Sequence, residues 1–358
     1  MRTVSVALGA RSYPIYIGHG ILGAIGARCA EHDLGRKVAV VTDETVGTLY
    51  GSPVVESLRA QGFEPIEVVI PAGEAKKCLA TMDGIFEQLI RAQLDRGCAI
   101  LALGGGVIGD LAGFVAATYL RGVAFVQVPT TVLAQADSGV GGKVAVNHPL
   151  GKNLIGAFHQ PRFVLMDTDV LRTLPDREVR AGLVEVIKHG MIRDEGFFAF
   201  LEAHIEELVS LRASAEVMER MIERNCQIKG EVVGLDEREQ GLRAILNYGH
   251  TVGHALEALG GYGRLRHGEA LGLGMRVAGR IAVGKGLLAE EALNRQNQLL
   301  AKLGVPDRIV GFEPMEILEK MRSDKKVRNG KVRFVLPERI GGVVIRDDVT
   351  EKEVLESL

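Results

Sequence analysis

The chain reads as an α/β protein with two parts. Residues 1–174 form a Rossmann-like N-terminal domain on a parallel sheet, and residues 175–358 form an all-α C-terminal domain. Three observations predict this. Short, uninterrupted apolar runs alternate with amphipathic segments through the first half, as strands covered on both faces alternate with helices. A glycine-rich turn, Gly104-Gly105-Gly106-Val107-Ile108-Gly109, separates one such run from a helical stretch. Beyond Leu174-Pro175 nearly every segment keeps the 3.6-residue apolar period of a helix.

The elements follow in order. Residues 1–18 alternate in the manner of a strand and lack the apolar core of a signal peptide. Residues 37–42 (KVAVVT) are a first apolar strand, and residues 53–61 are a helix stopped by Gly62. Residues 65–70 (PIEVVI) are a second strand. Residues 81–92 place Met82, Ile85, Phe86, Leu89 and Ile90 at helical spacing. Residues 98–103 and 125–128 are further strands. The apolar stretch 98–120 is long enough for a membrane span, but its glycines and Asp110 divide it into strand, loop and helix. Residues 197–211 and 215–229 are helical, and Asn329-Gly330 is a hairpin turn.

The composition narrows the partners. A net charge of −2 excludes a nucleic-acid-coating surface or an anionic-membrane binder, so the expected partner is a small molecule. Four cysteines with no CxxC spacing read as the reduced thiols of a cytoplasmic protein.

If the strands are parallel, the loops after them share one sheet edge, where such folds bind ligands. Asp43 and Glu44 follow the first strand and suit ribose hydroxyls. Gly73 and Glu74 follow the second, the glycine turn the third, and Thr130-Thr131 the fourth. The turn satisfies GxGxxG, which suits a pyrophosphate at a helix N-terminus. The acidic residue expected about 20 positions later is missing, so a tight turn without a ligand stays open. Residues 137–153 carry Asp137, Lys143, Asn147, Lys152 and Asn153 among glycines, which suits a phosphorylated ligand or a solvated loop.

Glu185 and Lys188 stand three apart on one helical face, as a surface ion pair or as a pair facing a cleft. His250 and His254 stand four apart, with His267 shortly after. All three are candidate metal ligands, and two histidines with a carboxylate suit zinc with an open position. Glu239 and Arg243 precede Asn247, Lys229 lies one segment earlier, and Lys325-Lys326 lies near the end. Each of these alone reads as a solvated face.

Together the motifs resemble one family. GGGVIGDLAGF (104–114), YLRG (119–122), QVPTT (127–131), DSGVGGK (137–143) and NHPLGKNLIGAFHQP (147–161) come first. GLVEVIKHG (182–190), EQGLRAILNYGHTVGHALEA (239–258), HGEA (267–270) and DKK (324–326) follow in the same order. This order and spacing resemble the 3-dehydroquinate synthase family of sugar-phosphate cyclases. The resemblance implies a dehydroquinate synthase-like fold with the active site in the cleft between the domains, a homodimer, and NAD and Zn2+ (or Co2+) as cofactors. The implied reaction converts 3-deoxy-D-arabino-heptulosonate 7-phosphate to 3-dehydroquinate and phosphate, in the shikimate pathway. It runs by transient NAD-dependent oxidation, β-elimination of phosphate, re-reduction and intramolecular aldol closure.

Residue roles carry over by motif. The implied metal ligands are Glu185, His250 and His267, which leaves His254 as an acid/base residue facing substrate. Glu239 matches a proton acceptor. Substrate positions are Arg121, Asp137, Lys143 and Asn153, then Lys188, Lys229, Arg243 and Asn247, then Lys325 or Lys326. The NAD set begins with Asp43, Glu44, Gly73, Glu74, Lys76 and Lys77. It continues through Gly105, Gly106, Val107, Ile108, Gly109 and Asp110, and ends with Thr130, Thr131, Lys152, Leu171 and Thr173. Two departures are visible: Val144 stands where the family often has threonine, and His189 where it often has tyrosine. Neither removes a charge or a ligand. The rival readings are a sister cyclase making an inosose or valiolone, a metal-dependent polyol or glycerol-phosphate dehydrogenase, and a non-catalytic NAD-binding regulator.

Overall fold

The computed structural model describes residues 1–261, 263–322 and 332–358. It divides into two compact units. The first comprises Met1–Leu174 and Ala215–Glu237, the second Pro175–Ser214 and Arg238–Leu358.

The first unit is built on β1 (Arg2–Val6), β2 (Tyr13–Gly18), β3 (Lys37–Asp43), β4 (Glu64–Ile70), β5 (Ala99–Gly104) and β6 (Ala124–Pro129). It adds β7 (Lys143–His148), β8 (Gly151–Phe158) and β9 (Phe163–Asp167). Seven strands form one sheet in the order β1-β2-β9-β6-β5-β3-β4. Every neighbouring pair is parallel except β1 with β2. Alternation along β3 explains why both faces need cover. Ala39 and Val41 join Ile100 and Ala102 under the helices Leu79–Arg91 and Gly106–Thr118. Val38 and Val40 join Leu101 and Leu103 under Ile25, Val54 and Leu58. Burying each valine or leucine contributes roughly 1.5–3 kcal/mol.

Three features of this unit differ from the sequence expectation. The helix Ala215–Leu235 packs on β1 and β2 instead of joining the second half. Its buried Met221, Ile222, Ile228 and Val232 show an apolar face, but helical periodicity does not say what that face will cover. Residues 137–153, read as loop, include β7 and the turn into β8, an antiparallel pair. Residues 1–18 form two antiparallel strands around the turn Gly9–Arg11.

The second unit contains the helices Asp176–Arg193, Glu195–Val209, His250–Leu259, His267–Gly284, Glu290–Lys302, Pro314–Arg322 and Glu351–Ser357. Asp176 and Glu178 in the first turn and Arg193 in the last suit the dipole of the first of these. The unit is not wholly helical: β10 (Phe334–Arg339) and β11 (Gly342–Arg346) form a hairpin. It turns at Ile340-Gly341, with Gly341 at φ +84°. The expected turn at Asn329-Gly330 lies outside the described residues. Among the described residues no helix is long and apolar enough to cross a membrane.

Candidate metal centre and nucleotide site

In the second unit, Glu185 lies on the helix Asp176–Arg193 with its side chain fully buried. Lys188, one turn on, is 1 % exposed and pairs with Glu185 Oε2. The surface reading of this pair therefore falls, because both charges have left water. Glu185 Oε1 is 3.1 Å from His267 Nε2 and 3.5 Å from His250 Nε2. Three ligand atoms, one from each residue, lie within 4.8 Å of one another.

The sequence explains how they meet. His250 opens one helix and His267 opens the next. A Cβ at Gly268 would stand 1.9 Å from the Ala181 carbonyl oxygen. Only glycine allows the start of the His267 helix to press on the Glu185 helix one turn before Glu185. Glu269 then accepts from the Arg266 amide at 2.9 Å and from Arg177 Nε at 2.6 Å, which ties the two helix starts together. The Arg177 hydrogen bond holds the Glu269 carboxyl below its usual range.

The donor set fits a divalent metal. Zinc–nitrogen and zinc–oxygen bonds of ~2.0–2.1 Å in a tetrahedron place neighbouring donors about 3.3 Å apart, close to the two separations above. His250 Nδ1 lies 3.2 Å from the Tyr248 carbonyl, and His267 Nδ1 lies 3.1 Å from Glu257 Oε2. With Nδ1–H donating outward, each Nε2 lone pair faces Glu185. Burial drives the His250 imidazole down to about 3, so it stays neutral, as a ligand must be. Burial also opposes charge on His267, but the Glu185 and Glu257 carboxylates outweigh it and raise its pKa to about 10, so without a metal a proton occupies Nε2, the place a metal cation would take. That site attracts positive charge. His254 stands edge-on to His250, ring centroids 5.2 Å apart.

Asn247 donates to Glu239 Oε1 at 2.7 Å, and Arg243 is buried on the same 3-10 turn, Leu242–Asn247. Lys325 and Lys326 lie outside the described residues.

In the first unit, the loops after β3, β4, β5 and β6 share one sheet edge. Asp43 ends β3 and caps the following turn, its Oδ1 accepting from the amides of Thr45 and Val46 at 2.9 and 3.0 Å. Glu44 is exposed beside it. The glycine turn leads into the helix Gly106–Thr118. A Cβ at Gly105 would meet Thr131 Cγ2 at 3.0 Å, and one at Gly106 would meet Ser138 Oγ at 2.9 Å. Close packing thus accounts for these glycines, and the helix N-terminus they open suits an anion. The buried hydroxyls of Thr42 and Thr130, at the ends of β3 and β6, have no hydrogen-bond partner among the described residues. A polar ligand at that edge satisfies such groups.

Next to this edge lies a charged cluster. Lys77 is 5 % exposed and contacts Asp110 Oδ2 and, at 2.6 Å, Asn153 Oδ1. Glu74 Oε1 accepts from Asn147 Nδ2 at 2.8 Å and stands 3.5 Å from Lys152 Nζ. Burial opposes the Glu74 charge, but Lys152 and Lys77 outweigh it and hold its carboxyl below the usual range. For Asp110 burial prevails over Lys77, and the carboxyl is raised. Lys229 Nζ reaches Asp137 at both its carbonyl and, at 2.6 Å, its Oδ1. Asn225, one turn earlier, donates to the Ala136 carbonyl.

Some expected NAD positions have little to offer as side chains. Leu171 and Ile108 are buried in the core, leaving only their backbone, and Thr173 Oγ1 is paired at 2.7 Å with Tyr50. Gly73, Lys76, Arg121 and Lys143 lie on the exposed surface of the unit. Among the described residues seven non-glycines have positive φ, and Arg121 (+70°), Asn153 (+54°) and Glu239 (+57°) are three of them. Such backbone costs about 1–3 kcal/mol and gathers at functional sites. Sequence reasoning passed over Glu257 and Asn225. The spacing His250, His254, Glu257 is the usable signal for the first, since positions i, i+4 and i+7 share a helical face.

Comparison with known proteins separates the readings. The family profile described as 3-dehydroquinate synthase N-terminal matches residues 67–181, and 3-dehydroquinate synthase C-terminal matches residues 182–327. The chain belongs to the 3-dehydroquinate synthase family. The family member from Desulforamulus reducens is 51 % identical over 359 residues, covering 100 % of this chain and 99 % of that one. Among solved structures, 2-epi-5-epi-valiolone synthase from Streptomyces hygroscopicus with NAD+ and Zn2+ bound superposes with a TM-score of 0.89 at 29 % identity, over 96 % of this chain and 95 % of that chain. A 2-deoxy-scyllo-inosose synthase complexed with carbaglucose-6-phosphate, NAD+ and Co2+ gives 0.90 at 28 %, over 99 % and 98 %. The α/β-plus-helical architecture is thus that of the sugar-phosphate cyclases, and this member of the 3-dehydroquinate synthase family is a lyase-type cyclase.

Proposed function

We propose that the chain converts 3-deoxy-D-arabino-heptulosonate 7-phosphate to 3-dehydroquinate and phosphate, using Glu185, His250 and His267 as ligands for Zn2+ or Co2+ and the loop edge of the first unit for NAD. The observation that carries this is the grouping of Glu185, His250 and His267, one ligand atom from each within 4.8 Å of the others, with Glu185 Oε1 3.1 and 3.5 Å from the Nε2 atoms of His267 and His250. The 51 % identity to a named dehydroquinate synthase, against 28–29 % to the two sister cyclases, favours this substrate over an inosose or valiolone precursor. When bound, the metal supplies a Lewis acid for hydroxyl and carbonyl oxygens, and NAD supplies reversible hydride acceptance without net consumption.

The chain's own residues do the rest. The cations of Arg121, Lys143 and Lys229 and the amide of Asn153 hold charged groups of the substrate. Two unit charges 4 Å apart attract by roughly 4 kcal/mol at an effective dielectric of 20, so a few such cations dominate binding. Lys188, Arg243 and Asn247 are further substrate residues. His254 moves protons beside the metal ligands, and Glu239, fixed by Asn247, accepts one. The departing phosphate also acts as a base on its own substrate. Holding the substrate in one orientation directs the final aldol closure to one face.

With the reaction go a cytoplasmic location, which fits the four free cysteines, and a homodimer. The test is a coupled measurement on purified protein with zinc, NAD and substrate. Phosphate should be released continuously while NADH stays at the level of bound cofactor. Steady NADH accumulation would overturn the reading in favour of a dehydrogenase.

A further inference from the structure

Glu257 is a carboxylate 4 % exposed on the helix His250–Leu259. It shares a helical face with His250 and His254, at positions i+7 and i+3 from them. Its Oε2 lies 3.1 Å from His267 Nδ1. A buried carboxylate is expensive to hold without a partner, and here its oxygen is spent on the outer nitrogen of an imidazole whose inner nitrogen faces Glu185.

We infer that Glu257 is a positioning residue for the metal centre: it fixes His267 with Nδ1 protonated and raises the basicity of Nε2. The inference rests on the ligand assignment proposed above. An imidazole can carry one proton on either nitrogen, and only the form with Nδ1–H has a lone pair on Nε2 for a metal. Both nitrogens of His267 have a carboxylate oxygen at 3.1 Å, so when a metal takes the Nε2 side the acceptor at Nδ1 keeps the remaining proton there. A carboxylate acceptor also draws the N–H proton toward itself and makes Nε2 a stronger donor, which a neutral acceptor does less well. The contrast lies within the same centre, where His250 Nδ1 has the Tyr248 carbonyl at 3.2 Å. The two ligands therefore differ in strength by construction, with His267 the stronger. Glu257 also holds the ring plane.

The experiment measures zinc affinity of the metal-free protein by competition with a chelator of known affinity, for the parent, Glu257→Gln, Glu257→Ala and His267→Ala, with circular dichroism to establish the fold. Glu257→Ala should bind one zinc per chain about 10–100-fold more weakly. Glu257→Gln keeps the shape and an amide acceptor and should fall between it and the parent. In the cobalt-loaded protein the ligand-field band should move in Glu257→Ala, a signature that a purely structural role would not produce. If Glu257→Ala does not fold, the isosteric Glu257→Gln carries the test. Affinity and band unchanged in the folded variants overturn the inference. Complete loss of zinc in Glu257→Gln, as in His267→Ala, also overturns it, since Glu257 would then be a ligand. If instead His267→Ala binds zinc as the parent does, the ligand assignment itself is what fails.

Discussion

Glu185 Oε1 stands 3.1 Å from His267 Nε2, although 82 residues of chain separate them. The first is brought by one long helix and the second by the first residue of another. The approach depends on the bare backbone of Gly268 against Ala181.

That dependence gives a first prediction. In Gly268→Ala the new methyl meets a carbonyl oxygen at 1.9 Å, a backbone atom that cannot swing aside. Overpacking of this kind costs about 1–3 kcal/mol. Thermal melts should show a lower Tm, and a chelator competition should show weaker zinc. A variant with unchanged Tm and affinity would show that the helix contact does not set the centre.

Lys77 is the buried cation beside Asp110 and Asn153. Lys77→Met should leave the Asp110 carboxylate without its cation and destabilise the first unit by about 3–5 kcal/mol. Adding Asp110→Asn should recover part of that loss, because the stranded charge is then gone. Urea unfolding of the parent and the two variants checks it. Equal stability of the single and double variants would contradict the ion-pair account.

Glu239→Gln keeps an oxygen for Asn247 but removes the carboxylate proposed to accept a proton. The kcat should fall about 10²–10⁴-fold, while NAD binding, followed by fluorescence quenching, stays at the parent value. Undiminished kcat would remove Glu239 from the proton path.

His159 supplies a pH prediction outside the metal centre. Burial lowers its pKa, and its Nε2 lies 2.9 Å from the Val123 carbonyl. The folded state therefore holds it neutral where the unfolded chain, with a pKa of roughly 6.5, binds a proton. Its contribution is fully present above that value and is lost as pH falls below it, until the folded pKa is reached. The unfolding free energy should drop more steeply from pH 7 to 5 in the parent than in His159→Gln. Parallel curves would assign the acid sensitivity elsewhere.

The sequence made the parallel sheet legible because β3, β5 and β6 are short apolar runs with helices between them. It made the candidate metal histidines legible by their spacing. It did not reveal that the Ala215–Leu235 helix belongs with β1 and β2, because an apolar face does not carry the address of its partner. The β7–β8 pair hid behind glycines and charges that resemble loop chemistry. The carboxylate proposed as third ligand was hidden for a related reason. Glu185 and Lys188 look like an exposed pair at i, i+3, and only packing shows both buried. Motif resemblance supplied that residue where local spacing did not.

The central claim is that the histidines divide their work, two on the metal and one facing substrate. The most direct measurement is zinc content by mass spectrometry, alongside activity, for Glu185→Ala, His250→Ala, His267→Ala and His254→Ala. The account predicts that the first three lose the metal and that His254→Ala keeps one zinc per chain while losing turnover. Loss of zinc from His254→Ala equal to that from His250→Ala would contradict it.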